Sequence, residues 1–420
     1  MRRIVFAVVA LCLSVVPTCA AADMLRLPEG FSAVVYHPGI GPMARHLAVR
    51  ANGDVYVNRK GLGDGSELVA LRDADGDGAA EIVERIGNLG GTGIAIHDEF
   101  LYFSTEDSVY RYRLPDESLV PSGAPELVVS GFPQQQSHTA KSLTLDDAGS
   151  LYVNSGAPSN ACMQQIRTQG SPGRKPCPEL ERSGGIWRFA TDRINQRQSD
   201  GHRFATGVRN AVALEWRRAG GGLFLVMHGR DQLDAMFPNL FTARDNAELP
   251  AEEFHQVPEG ADIGWPYTYY DPREKVRRIA PEYGGDGKRQ AEPGSYREPL
   301  LAFPAHWAPN DLLFYGGRQF PERYRGGAFI AFHGSWNRAP LAQQGYKVVF
   351  VPFDGERATQ AYETFADGFA GSESLRRAGQ AKFRPMGLAE GPDGSLFISD
   401  SVRGRIWKVT YQGTIGTEPR

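Results

Sequence analysis

Several cations, imidazoles and amides in this sequence stand directly before or after short apolar segments. His138 stands just before the segment at Leu143, and Arg209 and Asn210 stand just before Val212. An imidazole has an unperturbed pKa near neutrality and can accept a proton during a reaction. A guanidinium can stabilise negative charge that develops on an oxygen. Comparable positions hold Arg45, His46, Asn88, His306, Asn310 and Arg384 before such segments, and Gly229, Arg230 and residues 333–338 after them.

A repeated pattern of short strands accounts for these positions. Each copy has an apolar strand, a turn with Gly or Asp and a second apolar strand, which is typical of a β-hairpin. The copies begin at Leu47, Ile94, Leu143, Val212, Leu312 and Leu388, so their starts are 47, 49, 69, 100 and 76 residues apart. A spacing near 47 residues accommodates the four strands of one propeller blade, and closing six blades into a ring removes exposed sheet edges.

We therefore predict an all-β fold: one six-bladed β-propeller at residues 23–420, with long inter-strand insertions of which 229–310 is the largest. A strand at Arg405–Thr410 is expected to pair with Phe31–Tyr36 and close the ring. A β-sandwich with a second domain is the alternative, although no linker of changed composition divides the chain. Because an antiparallel hairpin returns to the side where it began, the polar residues should meet at one end of the axis. Such an end would suit a polyanionic planar ligand with a proton acceptor above it.

Composition and the N-terminus indicate the class of protein and its compartment. The net charge of −3, with acidic and basic residues mixed, gives no basic surface for nucleic acid and no polybasic membrane patch. Residues 1–22 combine two arginines, a short apolar run and small residues, as in a secretory signal peptide, and the run is too short to span a membrane. The mature protein is thus expected to be periplasmic or secreted.

Cys162 and Cys177 are the cysteines left after removal of that signal. A pair of cysteines in an exported protein indicates a disulfide, with two reduced thiols as the alternative. The sequence contains no Cys-x-x-Cys-His, so a covalently attached haem is excluded. Electrons from an oxidation would have to leave through an external acceptor.

Motifs along the chain resemble the glucose/sorbosone dehydrogenase family, and its sorbosone branch most strongly. They are the segments 137–143, 207–210, 263–266, 333–338 and 384–394, together with 72–78 and 264–271. The resemblance covers almost the whole mature chain. It implies a six-bladed propeller that uses pyrroloquinoline quinone (PQQ) and calcium to oxidise a small sugar.

The resemblance also implies a role for individual residues. His138 matches the base that takes the proton from the sugar hydroxyl, and Arg209 matches the guanidinium on the quinone oxygens. Asn210 matches an amide that holds the cofactor. Gly229 and Arg230 match two backbone carbonyls that bind calcium, a cation that prefers oxygen ligands. The cofactor carboxylates would be held by Arg45, Arg338 and Arg384.

The sequence departs from this family at two positions. Ser137 stands before His138 where the soluble glucose dehydrogenases have Asp, and Tyr315 replaces the lysine before Gly316 and Gly317. Lys141 or Arg318 would have to compensate for that lysine. Each of His306, His333 and Trp336 is compatible with a place at the mouth or with packing.

A second candidate calcium site lies in the segment 73–84. Asp73, Asp75, Asp77 and Glu84 fit the spacing of an EF-hand loop. The flanking segments 67–71 and 81–85 are predicted strands, so this is a hairpin tip and a solvated turn is the alternative. Glu252 and Glu253 also resemble a calcium-binding segment.

The leading hypothesis is thus an exported PQQ-dependent dehydrogenase of an aldose or related sugar aldehyde, acting as a monomer or homodimer. The alternatives are a propeller lactonase or hydrolase, which needs carboxylates along the axis, and a non-catalytic propeller that binds glycans.

Overall fold

The computed structural model describes residues 25–61, 65, 67–359 and 361–413. The predicted signal peptide therefore lies outside the described residues. Strands dominate the described chain, and two short α-helices occur in its middle third. None of these helices is long and apolar enough to cross a membrane.

The strands of the first half of the chain are β1 (Phe31–His37), β2 (Ala44–Val49), β3 (Val55–Arg59), β4 (Glu67–Arg72), β5 (Ile82–Ile86), β6 (Ile94–His97), β7 (Phe100–Ser104), β8 (Val109–Arg113), β9 (Glu126–Ser130), β10 (Leu143–Leu145), β11 (Ser150–Ser155), β12 (Gly185–Ala190), β13 (Gln196–Arg197), β14 (His202–Thr206), β15 (Ala213–Trp216) and β16 (Leu223–Met227).

The second half contains α1 (Leu233–Met236), α2 (Ala243–Glu248), β17 (Glu252–Val257), β18 (Ala261–Asp262), β19 (Thr268–Asp271), β20 (Val276–Ile279), β21 (Leu301–Phe303), β22 (Pro309–Phe314), β23 (Ala328–Phe332), β24 (Lys347–Val351), β25 (Phe353–Asp354), β26 (Arg357–Ala358), β27 (Glu363–Ala366), β28 (Pro385–Glu390), β29 (Leu396–Asp400) and β30 (Ile406–Tyr411). Short 3₁₀ turns cover Pro178–Glu181, Gln198–Asp200, Pro281–Tyr283, Glu322–Tyr324 and Ala378–Gln380.

The larger sheets form six blades, which confirms the predicted propeller. Their orders from the axis outward are β2-β3-β4-β5, β6-β7-β8-β9-β13, β10-β11-β12-β14-β18, β15-β16-β17-β21, β22-β23-β24-β27 and β28-β29-β30-β1. The six innermost strands contact one another around a closed ring. All six predicted hairpins are present, for example with Leu47 opposite Val57 and Ile94 opposite Phe103.

The ring is closed by pairing the first described strand with the last, as predicted. β1 lies antiparallel to β30, with Phe31 opposite Tyr411. The Phe31 ring also meets Phe320, Tyr324 and Phe365 edge to face at 4.8, 5.3 and 5.1 Å. Such aromatic contacts stabilise a core beyond the area they bury. The closing strand is therefore fixed to the blade of β22, β23, β24 and β27 as well as to its own blade.

Middle strands are buried on both faces because each blade is packed between two others. Every residue of β3, β16 and β23 is buried, and these strands are rich in β-branched, aromatic and other apolar residues. The largest insertion, between β16 and β22, contains both α-helices. There the Thr242 side chain caps α2 by accepting a hydrogen bond from the Asp245 amide. This insertion reaches the axis and positions part of the site.

Candidate active site

A cavity of about 490 Å³ lies at the end of the axis where the inner strands begin. We call it the mouth cavity. It confirms the predicted convergence of remote polar residues. The predicted residues that line it are Arg45, His138, Arg209, Asn210, Gly229, His306, Asn310, His333, Trp336 and Arg384.

Left-handed backbone conformations are concentrated around this cavity. Among its lining residues, His138, Arg167, Gln232, His306 and Ala308 have φ between +53° and +64°. Side chains other than glycine disfavour this region, and such residues often mark sites where a side chain must be aimed. The chain therefore accepts local strain at several points that face the cavity.

His138 is a neutral imidazole with a defined tautomer. Its Nδ1 lies 2.6 Å from the Ala157 carbonyl oxygen, which can only accept a hydrogen bond, so Nδ1 carries the proton. Nε2 is then the unprotonated ring nitrogen. Burial and the positive charge of Arg209 lower the pKa of His138 to about 3. The side chain is thus prepared to accept a proton at Nε2.

Arg209 is fully surrounded by hydrogen-bond acceptors. Its guanidinium donates to the Gly229 carbonyl at 2.8 Å, to Asn160 Oδ1 at 3.0 Å and to Asp231 Oδ2 at 3.1 Å. Burial lowers the pKa of Arg209, but the Asp231 carboxylate opposes this effect. The guanidinium is therefore charged and held in one orientation.

Asp231 joins the cations of the cavity, and the sequence analysis did not select it. Besides Arg209, its carboxylate accepts a hydrogen bond from Asn337 Nδ2 at 2.5 Å and lies 3.5 Å from His306 Nδ1. Burial would raise the pKa of Asp231, yet the contacts with His306 and Arg209 lower it well below its usual value. The sequence feature that could have selected Asp231 is its position just after the second strand of a blade hairpin.

His306 differs from the other imidazoles because both ring nitrogens face acceptors. Nε2 donates to the Asn246 carbonyl, at 2.6 Å, and Nδ1 faces Asp231. Burial would lower the pKa of His306, but the Asp231 carboxylate outweighs it and the pKa is raised. The largest insertion supplies Asn246, at α2, and so it orients a side chain of the mouth cavity.

Two further imidazoles in the cavity are neutral. His228, another residue that the sequence analysis missed, has Nε2 at 2.7 Å from the Pro309 carbonyl, and burial together with Arg209 lowers its pKa to about 4. His333 has Nε2 at 2.6 Å from Ser401 Oγ, and burial with Arg384 and Arg45 lowers its pKa well below 6.5.

Arg45 and Arg384 are buried guanidinium groups that have no carboxylate partner within 4 Å in the described chain. Arg45 reaches Met386 Sδ at 3.5 Å, while its Nε is buried without a hydrogen bond. Burial and the nearby Arg384 lower the pKa of Arg45 to about 10. Arg384 donates to the backbone carbonyls of His333 and Gly334 at 2.9 and 2.6 Å. Both positions are suited to an anionic ligand.

Several predicted residues do not reach the cavity with their side chains. Arg338 donates to the Ala305 carbonyl at 2.9 Å, and Arg230 pairs with Glu282 at 2.5 Å. Lys141 is buried, donates to the Thr139 carbonyl and does not line the cavity. The Tyr315 hydroxyl donates to the Gly394 carbonyl at 2.7 Å, which makes the replacement at 315 a matter of blade packing. Arg318 is exposed, and Asn88 lies beside a neighbouring groove.

Glu252 and Glu253 differ although they are neighbours on β17. Glu252 lines the mouth cavity and accepts from the amides of Gly229 and Ala308, at 2.8 and 3.1 Å, while burial raises its pKa to about 7. Glu253 pairs instead with Arg277 at 2.5 Å. The alternation of a strand sends the two side chains to opposite faces.

The acidic hairpin tip is present, with one correction. Ligand oxygens of Asp73, Asp75, Asp77 and Glu81 all lie within 4.8 Å of one another, whereas Glu84 is absent from the group. Glu84 lies on β5 opposite Ala70, because the segment enters a strand instead of the helix that would return the twelfth residue to the loop. Glu81, at the ninth position, takes its place and accepts from the Ala74 amide at 2.8 Å.

A second cavity, of about 310 Å³, lies further along the same inner strands. We call it the channel cavity. It contains His46, Glu215, Asp311 and Glu390. Burial raises the pKa of all three carboxyl groups, and in Glu215, near Asp311, it reaches about 8. His46, predicted at the mouth, lies here and donates from Nε2 to the Asn310 carbonyl at 2.7 Å.

Comparison with known families identifies the group to which this chain is related. The sequence matches the family described as TrAA12-like over residues 25–272 and 282–412. The chain belongs to the TrAA12-like family. The predicted disulfide is also confirmed, since Cys162 and Cys177 are bonded.

Curated relatives extend this TrAA12-like assignment. A PQQ-dependent pyranose dehydrogenase of Coprinopsis cinerea is 27% identical over 276 residues, which are 57% of this chain and 36% of the relative. An uncharacterised protein of Borreliella burgdorferi is 28% identical over 231 residues, 52% of this chain and 51% of that protein. The matches thus span about a third to a half of these relatives.

Solved structures share the fold of this TrAA12-like chain. The holo form of the PQQ domain of the Coprinopsis cinerea pyranose dehydrogenase has a TM-score of 0.73 and 20% identity, covering 92% of this chain and 97% of that domain. The calcium structure of the Trichoderma reesei family AA12 enzyme has a TM-score of 0.73 and 19% identity, again covering 92% and 97%.

Proposed function

We infer that this protein is a PQQ-dependent dehydrogenase of an aldose or related sugar aldehyde, with the mouth cavity as its active site. One observation carries this proposal. Two guanidinium groups, those of Arg45 and Arg384, have no carboxylate partner among the described residues and line the same cavity as an imidazole whose Nε2 is unprotonated. The family match and the PQQ-dependent relative support it.

The residues of the mouth cavity fit PQQ, which has three carboxylates and an ortho-quinone. The orphaned Nε of Arg45 and the guanidinium of Arg384 are suited to hold the carboxylates. Asn210 supplies an amide to the same cavity. Arg209 would face the quinone oxygens and stabilise negative charge there. When bound, the cofactor supplies the acceptor for the hydride that leaves the sugar carbon.

His138 would take the proton from the sugar hydroxyl at Nε2. Its low pKa keeps it neutral before the reaction, so Nε2 is free at any ordinary pH. A negative charge that forms on the substrate oxygen favours the protonated ring and raises this pKa as the proton moves. The hydrogen bond from Nδ1 to Ala157 fixes the ring throughout. Ser137 lines the cavity, and its described side chain makes no hydrogen bond with the ring.

Calcium would find oxygen ligands next to this base. The Gly229 carbonyl, the Asp231 carboxylate and Glu252 lie along one side of the cavity. Arg209 now donates to the Gly229 carbonyl, so a cation at that oxygen requires the guanidinium to turn away. The carbonyl of Arg230 is the second ligand implied by the family resemblance. The tip of Asp73, Asp75, Asp77 and Glu81 is a separate, structural calcium site in this proposal.

The compartment and the partners of the enzyme are also part of this proposal. The disulfide supports export, so we place the enzyme in the periplasm or outside the cell after cleavage of residues 1–22. The remaining residues, 23–420, form one catalytic domain. Electrons would pass to an external acceptor. The sorbosone resemblance adds sorbosone-type aldehydes to the aldoses as candidate substrates.

Reconstitution tests the proposal. The purified protein is loaded with PQQ and calcium, and dye reduction is followed with a panel of aldoses and sorbosone. His138→Ala should reduce kcat by roughly a thousandfold while PQQ still binds, because only the base is removed. His202→Ala, at an exposed histidine of β14, is the matched control and should retain activity. Unchanged turnover in His138→Ala, or absence of PQQ binding, would refute the proposal. Lactone hydrolysis or glycan binding without oxidation would favour the alternative functions.

A further inference from the structure

A loop at the rim of the mouth cavity has no role in the chemistry proposed above. It comprises residues 162–177 and is closed at its base by the disulfide. Met163 forms a β-bridge with Gly173, and the Gly170 amide donates to the Met236 carbonyl at 2.9 Å. The loop is therefore tied at its base and again near its tip, on α1.

Arg167 occupies the tip of this loop. Its φ of +54° is sterically disfavoured for any residue with a side chain. The residue is exposed, yet it lines the mouth cavity. The guanidinium group of Arg167 forms no hydrogen bond or ion pair with another described residue. A tethered loop thus presents a cation to the cavity without using it to stabilise the fold.

The cations of the mouth cavity lie at different depths. Arg209 is buried, and Arg45 and Arg384 are largely buried beneath the surface. Arg167 lies on the solvent side. A cofactor held by the buried groups leaves Arg167 facing whatever enters from solvent, which in a dehydrogenase is the substrate.

We propose that Arg167 binds a carboxylate on the sugar, so that hexuronic acids are preferred over neutral hexoses. This inference rests on the proposed function, because it assigns a substrate class to the same site. A guanidinium holds a carboxylate through two parallel hydrogen bonds. The carboxylate is remote from the carbon that is oxidised, so its contact with Arg167 contributes the same binding free energy in the ground state and in the transition state. Its loss should therefore raise KM and leave kcat unchanged.

A charge series of substrates tests this assignment on the reconstituted enzyme. The panel contains a hexuronate, the neutral hexose, its 6-phosphate and the hexosamine. Arg167→Gln should reduce kcat/KM for the hexuronate by about tenfold, through KM, and leave the neutral hexose unaffected. Arg167→Lys should restore part of the preference, and Arg167→Glu should favour the hexosamine. Arg193→Gln, at an exposed arginine that does not line the cavity, is the control.

A binding measurement separates this inference from the proposed function. Isothermal titration calorimetry with the hexuronate should detect binding that weakens about tenfold in Arg167→Gln and at high salt. If no sugar is oxidised, the proposed function fails, and calorimetry alone decides the role of Arg167. A hexuronate preference that is the same in Arg167→Gln overturns the inference. The inference is also overturned if Arg167→Gln weakens only the binding or oxidation of the 6-phosphate.

Discussion

The two cavities lie on the propeller axis, the mouth cavity where the inner strands begin and the channel cavity along these strands, and they differ in the ionisable groups that line them. Arg45 and Asn310 face the mouth cavity, whereas the next residues, His46 and Asp311, face the channel cavity. The mouth has a surplus of guanidinium groups, and the channel has carboxyl groups whose pKa values burial raises. A shift of one residue along a strand therefore separates a cavity rich in guanidinium groups from one lined by carboxyl groups whose neutral form is favoured. This polarity directs an anionic ligand to the mouth.

The comparison also explains where ion pairs occur. In the mouth cavity Asp231 is matched by Arg209 and His306, so its negative charge is strongly favoured. In the channel cavity Glu215 has no salt-bridge partner among the described side chains and is near another acid. Burial alone would raise the pKa of both carboxyl groups, but only in Asp231 do neighbouring cations reverse the direction. Neighbouring charge decides the outcome.

The largest expected effect comes from removing the paired cation of the mouth. Arg209→Ala leaves Asp231 buried without its guanidinium and removes the charge that would face the quinone. We expect kcat/KM of the reconstituted enzyme to fall by roughly a thousandfold. Arg218→Ala, at the rim of the channel cavity, is the control and should retain activity. Equal losses in the two variants would contradict the functional distinction between the cavities.

The next effect tests the His306–Asp231 pair through the pH dependence of stability. The pKa of His306 is raised, so its contribution is complete below pH 6.5 and is lost as the pH rises through the folded-state pKa. The pKa of Asp231 is lowered, so its contribution is present above about pH 3.8 and is lost at lower pH. His306→Gln should therefore reduce the free energy of unfolding by about 2 kcal/mol near pH 5.5.

Urea denaturation at pH 5.5 and 8.5 measures this difference. The loss should be smaller at pH 8.5, where the wild-type imidazole carries less charge. His202→Gln, on the surface, should not alter stability at either pH. A loss in His306→Gln that is equal at both pH values would indicate packing instead of charge.

How far the sequence alone predicts the site depends on the alternation of side chains. The inner hairpins were predictable because their period-two pattern and turns are local. Along the extended chain after β16, Gly229 and Asp231 line the mouth while Arg230 between them turns to Glu282. The family resemblance selected Gly229 and Arg230 for their backbone carbonyls but not Asp231, whose side chain enters the cavity because side chains alternate along an extended chain. Asn337 and Arg338 divide in the same way.

Other parts of the site depend on tertiary structure. Asn160 contacts Arg209 from the approach to the disulfide loop, and the carbonyl of Asn246 reaches His306 from 60 residues earlier in the same insertion. No local pattern marks either contact. The EF-hand spacing of 73–84 failed at Glu84 for a related reason, because ligand spacing carries meaning only when the following helix is present.

A smaller effect is expected in the channel cavity, with the opposite sign. The pKa of Glu215 is raised to about 8, so the folded state binds its proton more tightly than the unfolded state does. Stability therefore falls as the pH rises from about 4.5 through 8. The free energy of unfolding of Glu215→Gln should exceed that of the wild type by about 1.5 kcal/mol at pH 9. At pH 4 the two free energies should be equal. Destabilisation at pH 9 would show that the carboxylate has a favourable partner.

The smallest effect concerns the long-range field of the guanidinium groups that line the mouth cavity. Association of the trianionic PQQ with apo-protein should slow by a few fold when salt is raised from about 20 to 200 mM, because screening weakens attraction to the cationic mouth. Arg384→Gln should flatten this salt dependence. Glu390→Gln removes a carboxyl group of the channel cavity instead, and should leave the slope unchanged or steepen it slightly. Stopped-flow fluorescence gives the rates. Equal slopes in all three proteins would mean that short-range contacts, and not the polarity of the axis, bring the anion to the mouth.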